Sequence, residues 1–100
     1  MRISIAMTTY NGADYLLEQL ESLRTQSLMA DEVIIVDDCS TDNTVDLLNM
    51  YIQKYHLDHW ILIKNSSNIG WRKNFRKALQ KTTGDVVFLC DQDDIWNKDK

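Results

Sequence analysis

The sequence predicts an α/β fold, a mainly parallel β-sheet flanked by helices in the order β-α-β-α-β-α-β. Two observations predict it. Four short apolar runs rich in β-branched residues recur at roughly even spacing: Ile3 to Met7, Val33 to Val36, Trp60 to Ile63 and Val86 to Cys90. Runs that are apolar almost throughout are the mark of strands covered on both faces, as in a parallel sheet. Between them lie three segments of helical period, each long enough for a crossover, and such crossovers are right-handed and join parallel strands.

Each helix has its own pattern. In the first, Leu16, Leu20 and Leu23 recur at i, i+4 and i+7, with Leu17 beside them. In the second, Val45, Leu48 and Ile52 form the stripe, and Thr41 or Asp42 is placed to cap it. In the third, Phe75, Ala78 and Leu79 form the apolar face, and Gly84 stands just past the end, where a C-cap or turn glycine belongs. Met7, Met29 and Met50 read as core filler, and Trp71 and Trp96 as packing residues. His56 and His59 precede the third strand and are assigned no role.

One hundred residues make one domain at most, and a 44% apolar fraction provides a real core. The net charge of −4 argues against nucleic-acid binding. The charge is unevenly placed. Six of the eleven basic residues, Lys64, Arg72, Lys73, Arg76, Lys77 and Lys81, fall between His59 and Gly84, where no acidic residue stands. That segment suits either a phosphorylated ligand or the solvated face of a helix. Cys39 and Cys90 show no metal-type spacing, so the chain reads as cytoplasmic and reduced. Residues 1–7 are too short an apolar run for a signal peptide, and no stretch is long enough to span a bilayer. Asn97-Lys98-Asp99-Lys100 carries no stop or turn signal, so the chain is expected to be a piece of a longer protein.

In an open parallel sheet, ligands sit beyond the carboxyl ends of the strands. Three of those ends are chemically rich: Thr8-Thr9-Tyr10-Asn11-Gly12, Asp37-Asp38-Cys39-Ser40-Thr41-Asp42 and Asp91-Gln92-Asp93-Asp94. Parallel topology puts all three on one edge. Tyr10 offers a flat ring to a nucleobase. Asp38 is an acceptor-only carboxylate that can take a hydrogen bond from a ring N–H such as N3 of uracil or thymine. Asp91 and Asp93 form an Asp-x-Asp pair able to hold a ribose hydroxyl and a divalent cation bridging two phosphates. An all-oxygen donor set suits Mg²⁺ or Mn²⁺ better than Zn²⁺. The plainer roles are strand termination and helix capping for Asp37, Asp38 and Asp42, with capping preferred for Asp42; capping also fits Asp94.

These segments resemble the family 2 glycosyltransferases with the GT-A fold. The resemblance rests on Thr8 to Gly12, on Val33 to Thr44, on Asn68-Ile69-Gly70 with Asn74, and on Gly84-Asp85 leading into Cys90-Asp91-Gln92-Asp93-Asp94-Ile95-Trp96. The last motif looks most like bacterial members that build surface polysaccharides, including rhamnosyltransferase-like ones.

The resemblance implies a Rossmann-like nucleotide-binding half, a UDP- or dTDP-linked sugar donor and a divalent metal. Carried over by position, Thr8, Tyr10 and Asp38 hold the base, and Lys73 approaches base or phosphates. Asp91 contacts ribose or metal, and Asp93 is the main metal ligand. It further implies inverting transfer to a saccharide or lipid-linked acceptor hydroxyl, activated by a carboxylate base. That base is expected downstream of residue 100, so no catalytic residue is assigned within 1–100, which would be an inactive donor-site part of a GT-A domain. Association of the whole protein with the inner face of the membrane and self-association of residues 1–100 are further expectations. The usual proline before the loop threonine and tyrosine is replaced by Met7-Thr8.

Two readings of other classes compete. A signalling receiver domain also pairs acidic residues after a strand and binds Mg²⁺, but its pair follows the first strand, and it needs an aspartate where this chain has Lys64-Asn65-Ser66. The third reading is a non-catalytic nucleotide-binding module.

Overall fold

The computed structural model describes residues 2–26 and 30–91, the side chains of residues 14, 15, 26, 90 and 91 excepted. The expected alternation is present: β1 (Ile3–Thr9), α1 (Ala13–Gln26), β2 (Glu32–Asp37), α2 (Thr44–Lys54), β3 (Trp60–Lys64), α3 (Trp71–Lys81) and β4 (Val86–Asp91). All strand pairs are parallel, in the order β3-β2-β1-β4. The chain steps outward from β1 to β3 and then returns to the other side of β1. The strand order therefore reverses between β1 and β4, the place where an open α/β sheet leaves a crevice at its carboxyl edge.

Alternation along the strands sends neighbouring side chains to opposite faces. Ile5, Met7, Val33, Ile35 and Trp60 meet Leu16, Leu20 and Leu23 of α1 and Leu48 and Tyr51 of α2. On the other face Ala6, Ile34 and Val36 meet Ala78 of α3. That second core is small because α3 presents Asn74 and Ala78 to the sheet in place of long apolar side chains. Among the described residues no helix is long and apolar enough to cross a membrane.

Several packing expectations are corrected. Leu17 is exposed, because it lies a step of about 100° around α1 from the buried Leu16. Leu79 is also exposed, turned about 140° from Asn74 on α3. Met50 is 65% exposed and fills no core, since α2 buries Thr44, Leu48 and Tyr51 instead. Trp71 is 66% exposed at the first turn of α3, where the helix leaves the strand-exit rim. Met29 and Trp96 lie outside the described residues.

Gly84 is no helix cap, because α3 ends at Lys81 and Thr82 caps it. A Cβ on Gly84 would stand 2.3 Å from Ser4 Oγ and 2.8 Å from Ser4 N. The glycine lets the entry to β4 lie against the start of β1. Full cover on both strand faces fails at β4, an edge strand whose Phe88 and Leu89 are 48% and 54% exposed. These side chains alternate to opposite faces of the sheet.

Candidate nucleotide-binding rim

The exits of β1, β2 and β3 are tied together by polar groups of their own sequence. Asp38 N donates to Thr9 O at 2.9 Å, and Asn65 N donates to Asp37 O at 2.9 Å. These bonds extend the parallel ladders one step past the strands. Asp37 is fully buried; its carboxylate accepts from Thr9 Oγ1 at 2.7 Å and from Ser40 N at 2.8 Å. It ends β2 and shapes the next turn, as the plainer reading had it.

The β1–α1 and β2–α2 loops are joined by a second set of bonds. Asn11 takes a left-handed backbone (φ 47°), which asparagine tolerates better than most residues. Its Oδ1 accepts from Thr41 N at 2.7 Å, and its N donates to Ser40 Oγ at 2.9 Å. Gly12 N donates to Thr44 Oγ1 at 3.1 Å. Asp42 accepts from Thr44 N at 3.0 Å, from the Thr44 hydroxyl, and from Ala13 N at 3.3 Å. Asp42 thus caps α2 from one position ahead of the N-cap residue, Asn43, and reaches the start of α1 as well. Burial pushes its carboxyl up, but the bonds from Thr44 and Ala13 outweigh that and hold it below the usual aspartate range.

Asp38 lies at the centre of the rim, 3% exposed. Its Oδ1 accepts from Asn65 Nδ2 at 3.0 Å and from Ile69 N at 2.8 Å; its Oδ2 accepts from Gly70 N at 2.9 Å. Gly70 has φ 88°, a conformation open to glycine, so the loop turns both amides onto one carboxylate. Asn65 Nδ2 also donates to Asn74 Oδ1 at 2.8 Å, and Asn74 Nδ2 donates to Val36 O at 2.9 Å. Lys77 Nζ donates to Asn65 Oδ1 at 2.6 Å. A carboxylate has about four acceptor directions, and the described residues fill three of those on Asp38, two on Oδ1 and one on Oδ2.

The predicted residues therefore divide. Thr8 is buried in β1, with β2 on one side of it and β4 on the other, where Asp91 is its partner. Tyr10 is half-exposed just past β1. Asp38 stands between β1 and the Asn68–Gly70 loop. Lys73 is exposed in the first turn of α3, beside the buried Asn74. Asp91 ends β4 at the order reversal, but its side chain, and all of Asp93 and Asp94, lie outside the described residues. Among the described residues no cluster of three or more His, Cys, Asp or Glu groups could hold a metal ion.

Sequence reasoning missed Asn65 and Lys77. An asparagine directly after an apolar strand was the available signal. It is the third strand's counterpart of the other polar exits, and the structure buries it at the rim. That position also opposes the receiver reading, because β3 ends in Lys64 followed by Asn65, with no aspartate there.

Comparison with known proteins agrees with this geometry. TuaG of Bacillus subtilis, named for teichuronic acid biosynthesis, is 38% identical over 98% of this chain. The poly(ribitol-phosphate) beta-N-acetylglucosaminyltransferase TarS of Staphylococcus aureus is 38% identical over 99% of it. The chain spans 38% of the length of TuaG and 17% of TarS. The crystal structure of TarS 1-349 with UDP-GlcNAc superposes with a TM-score of 0.83 at 34% identity, over 99% of this chain and 28% of that one. A mannosyltransferase from Pyrobaculum calidifontis, in complex with GDP-Man and Mn²⁺, gives 0.82 at 27% identity, over 95% of this chain and 28% of that one. The model of the family described as glycosyl transferase family 2 matches residues 4–100, and the chain belongs to that family.

Proposed function

We propose that this chain is the donor-binding part of an inverting glycosyltransferase that takes a UDP- or dTDP-linked sugar. The acceptor is a saccharide or lipid-linked hydroxyl in the synthesis of bacterial surface polysaccharide, at the cytoplasmic side of the membrane. The observation that carries this reading is the rim itself. Tyr10 and the end of β4 flank the order reversal of the sheet with Asp38 one strand away after β2, and the matching part of TarS belongs to a protein solved with UDP-GlcNAc.

The proposed roles are these. Tyr10 stacks on the base, and the remaining acceptor direction of Asp38 takes the ring N–H. Thr8 forms the floor beneath the nucleotide. Lys73 offers a cation to base or phosphates from the exposed first turn of α3. Asp91 and Asp93 are the residues that would hold a divalent ion. Their donors are hard carboxylate oxygens, and the backbone of Asp91 is paired beside Thr8 on the rim, which fits Mg²⁺ or Mn²⁺. Such an ion, when bound, offsets the negative charge that builds on the departing diphosphate. The base that deprotonates the acceptor is not among these residues.

Tryptophan fluorescence tests the reading, since Trp71 is exposed next to Gly70, which holds Asp38. UDP with Mn²⁺ is expected to quench it saturably, and Asp93→Asn to remove the metal dependence. No change at millimolar UDP and Mn²⁺ would overturn the proposal.

A further inference from the structure

We infer that Lys77, acting through Asn65, fixes the direction of the Asp38 carboxylate and so restricts the base to one that presents a ring N–H. The inference rests on the proposed role of Asp38 at the base.

The side-chain amide of Asn65 has one acceptor oxygen and a two-proton donor nitrogen of nearly equal size, so its partners decide which way it points. Here both donor directions go to acceptors, Asp38 Oδ1 at 3.0 Å and Asn74 Oδ1 at 2.8 Å. The oxygen takes the Lys77 ammonium at 2.6 Å. Turning the amide over would set its NH₂ against the ammonium and its oxygen against two other oxygens. Asn74 cannot turn to compensate, because its own Nδ2 is spent on Val36 O at 2.9 Å. Lys77 therefore selects the orientation in which Asn65 donates to Asp38.

Asp38 receives three N–H groups, from Asn65, Ile69 and Gly70. None of these three can accept a proton in return, so at this site the carboxylate is an acceptor only. Its last acceptor direction, on Oδ2, is satisfied by N3–H of uracil or thymine or by N1–H of guanine. Cytosine and adenine present a bare ring nitrogen at the corresponding edge and would place lone pair against lone pair. Lys77 and Asn65 are positioning residues in this scheme. Neither is required to touch the ligand.

Titration of the whole chain with UDP and with CDP, each with Mn²⁺, reads the effect as a ratio of affinities. The unaltered chain is expected to prefer UDP by about tenfold or more, since a buried acceptor left without its donor is disfavoured on that scale. Lys77→Met should bring the ratio to within about threefold through loss of UDP affinity, and Lys77→Arg should restore it. An attraction of Lys77 for the diphosphate would change both ligands equally and cancel in the ratio. If the unaltered chain fails to prefer UDP, the role of Asp38 at the base falls, and the inference with it. If it prefers UDP and Lys77→Met keeps the full preference, or loses both ligands in proportion, the inference alone falls. A measurement without substitution serves if the variant does not fold. The Asn65 side-chain NH₂ should exchange slowly with solvent by NMR, and an amide exchanging as fast as an exposed one would overturn the scheme.

Discussion

At the residue scale, charge is managed by hydrogen bonds from short polar groups. Glu32 is a buried carboxylate at the start of a central strand. Burial pushes its carboxyl up, but the Ser4 hydroxyl, the Thr83 amide and hydroxyl, and Arg2 outweigh that and hold it below the usual glutamate range. Because the folded value is depressed, the stability it contributes is fully present above its ordinary value of about 4.3 and is lost as pH falls through the folded value. Glu32→Gln is expected to cost about 1–3 kcal/mol at neutral pH and to flatten the acid limb of the stability profile, measured by denaturant unfolding across pH. Tyr51 behaves in the opposite sense. Burial, and then its bond to the Glu21 carboxylate, push the phenol up to about 12, with Arg24 opposing. Ultraviolet titration should show Tyr51 ionising late, and Glu21→Gln should lower its midpoint.

At the element scale, the decisive contacts are those that join one loop to the next. Asn11→Ala leaves a non-glycine residue at φ 47° and removes the acceptor that Thr41 and Asp42 share. It is expected to lower stability by about 1–2 kcal/mol and to weaken UDP binding, read by thermal melting and by titration. Gly84→Ala forces β4 away from β1, because two of the obstructing atoms, Ser4 N and Arg2 O, belong to the backbone and cannot rotate aside. A loss of about 1–3 kcal/mol in the same unfolding assay is expected. Helix positions were legible because the leucine period of α1 and the apolar strand runs depend on local repeats alone. The helix faces were less so. Trp71, Met50 and Leu79 are apolar yet exposed, and Asn74 is polar yet buried, since each helix meets the sheet along a narrow line that the chain's own period does not locate.

At the scale of the whole molecule, β4 is one of the two edge strands of the sheet that the described residues form. It carries exposed Phe88 and Leu89 on opposite faces, and an uncovered edge strand with apolar side chains is a template for pairing. The chain as given is expected to self-associate in sedimentation velocity at micromolar concentration, and Leu89→Lys to shift it toward monomer. A monomer at all concentrations would show that this edge is not sticky.

The order of elements, the parallel sheet and the gathering of three polar exits on one edge follow from the sequence by itself. Apolar runs of strand length alternating with helical period admit few other arrangements, and parallel connection sends every exit to the same side. Whether a polar residue at that edge faces the ligand or serves the scaffold was decided only in three dimensions. Asp37, Asp38 and Asp42 look alike in sequence. In the fold, Asp37 closes a turn and Asp42 ties two helix starts together, while Asp38 keeps one acceptor direction beyond those the described residues fill. Asn65 and Lys77 lie 27 and 39 positions beyond Asp38; the place of Asn65 after an apolar strand hinted at the rim, but its bond to Lys77 comes from the packing of α3 on the sheet, a non-local event.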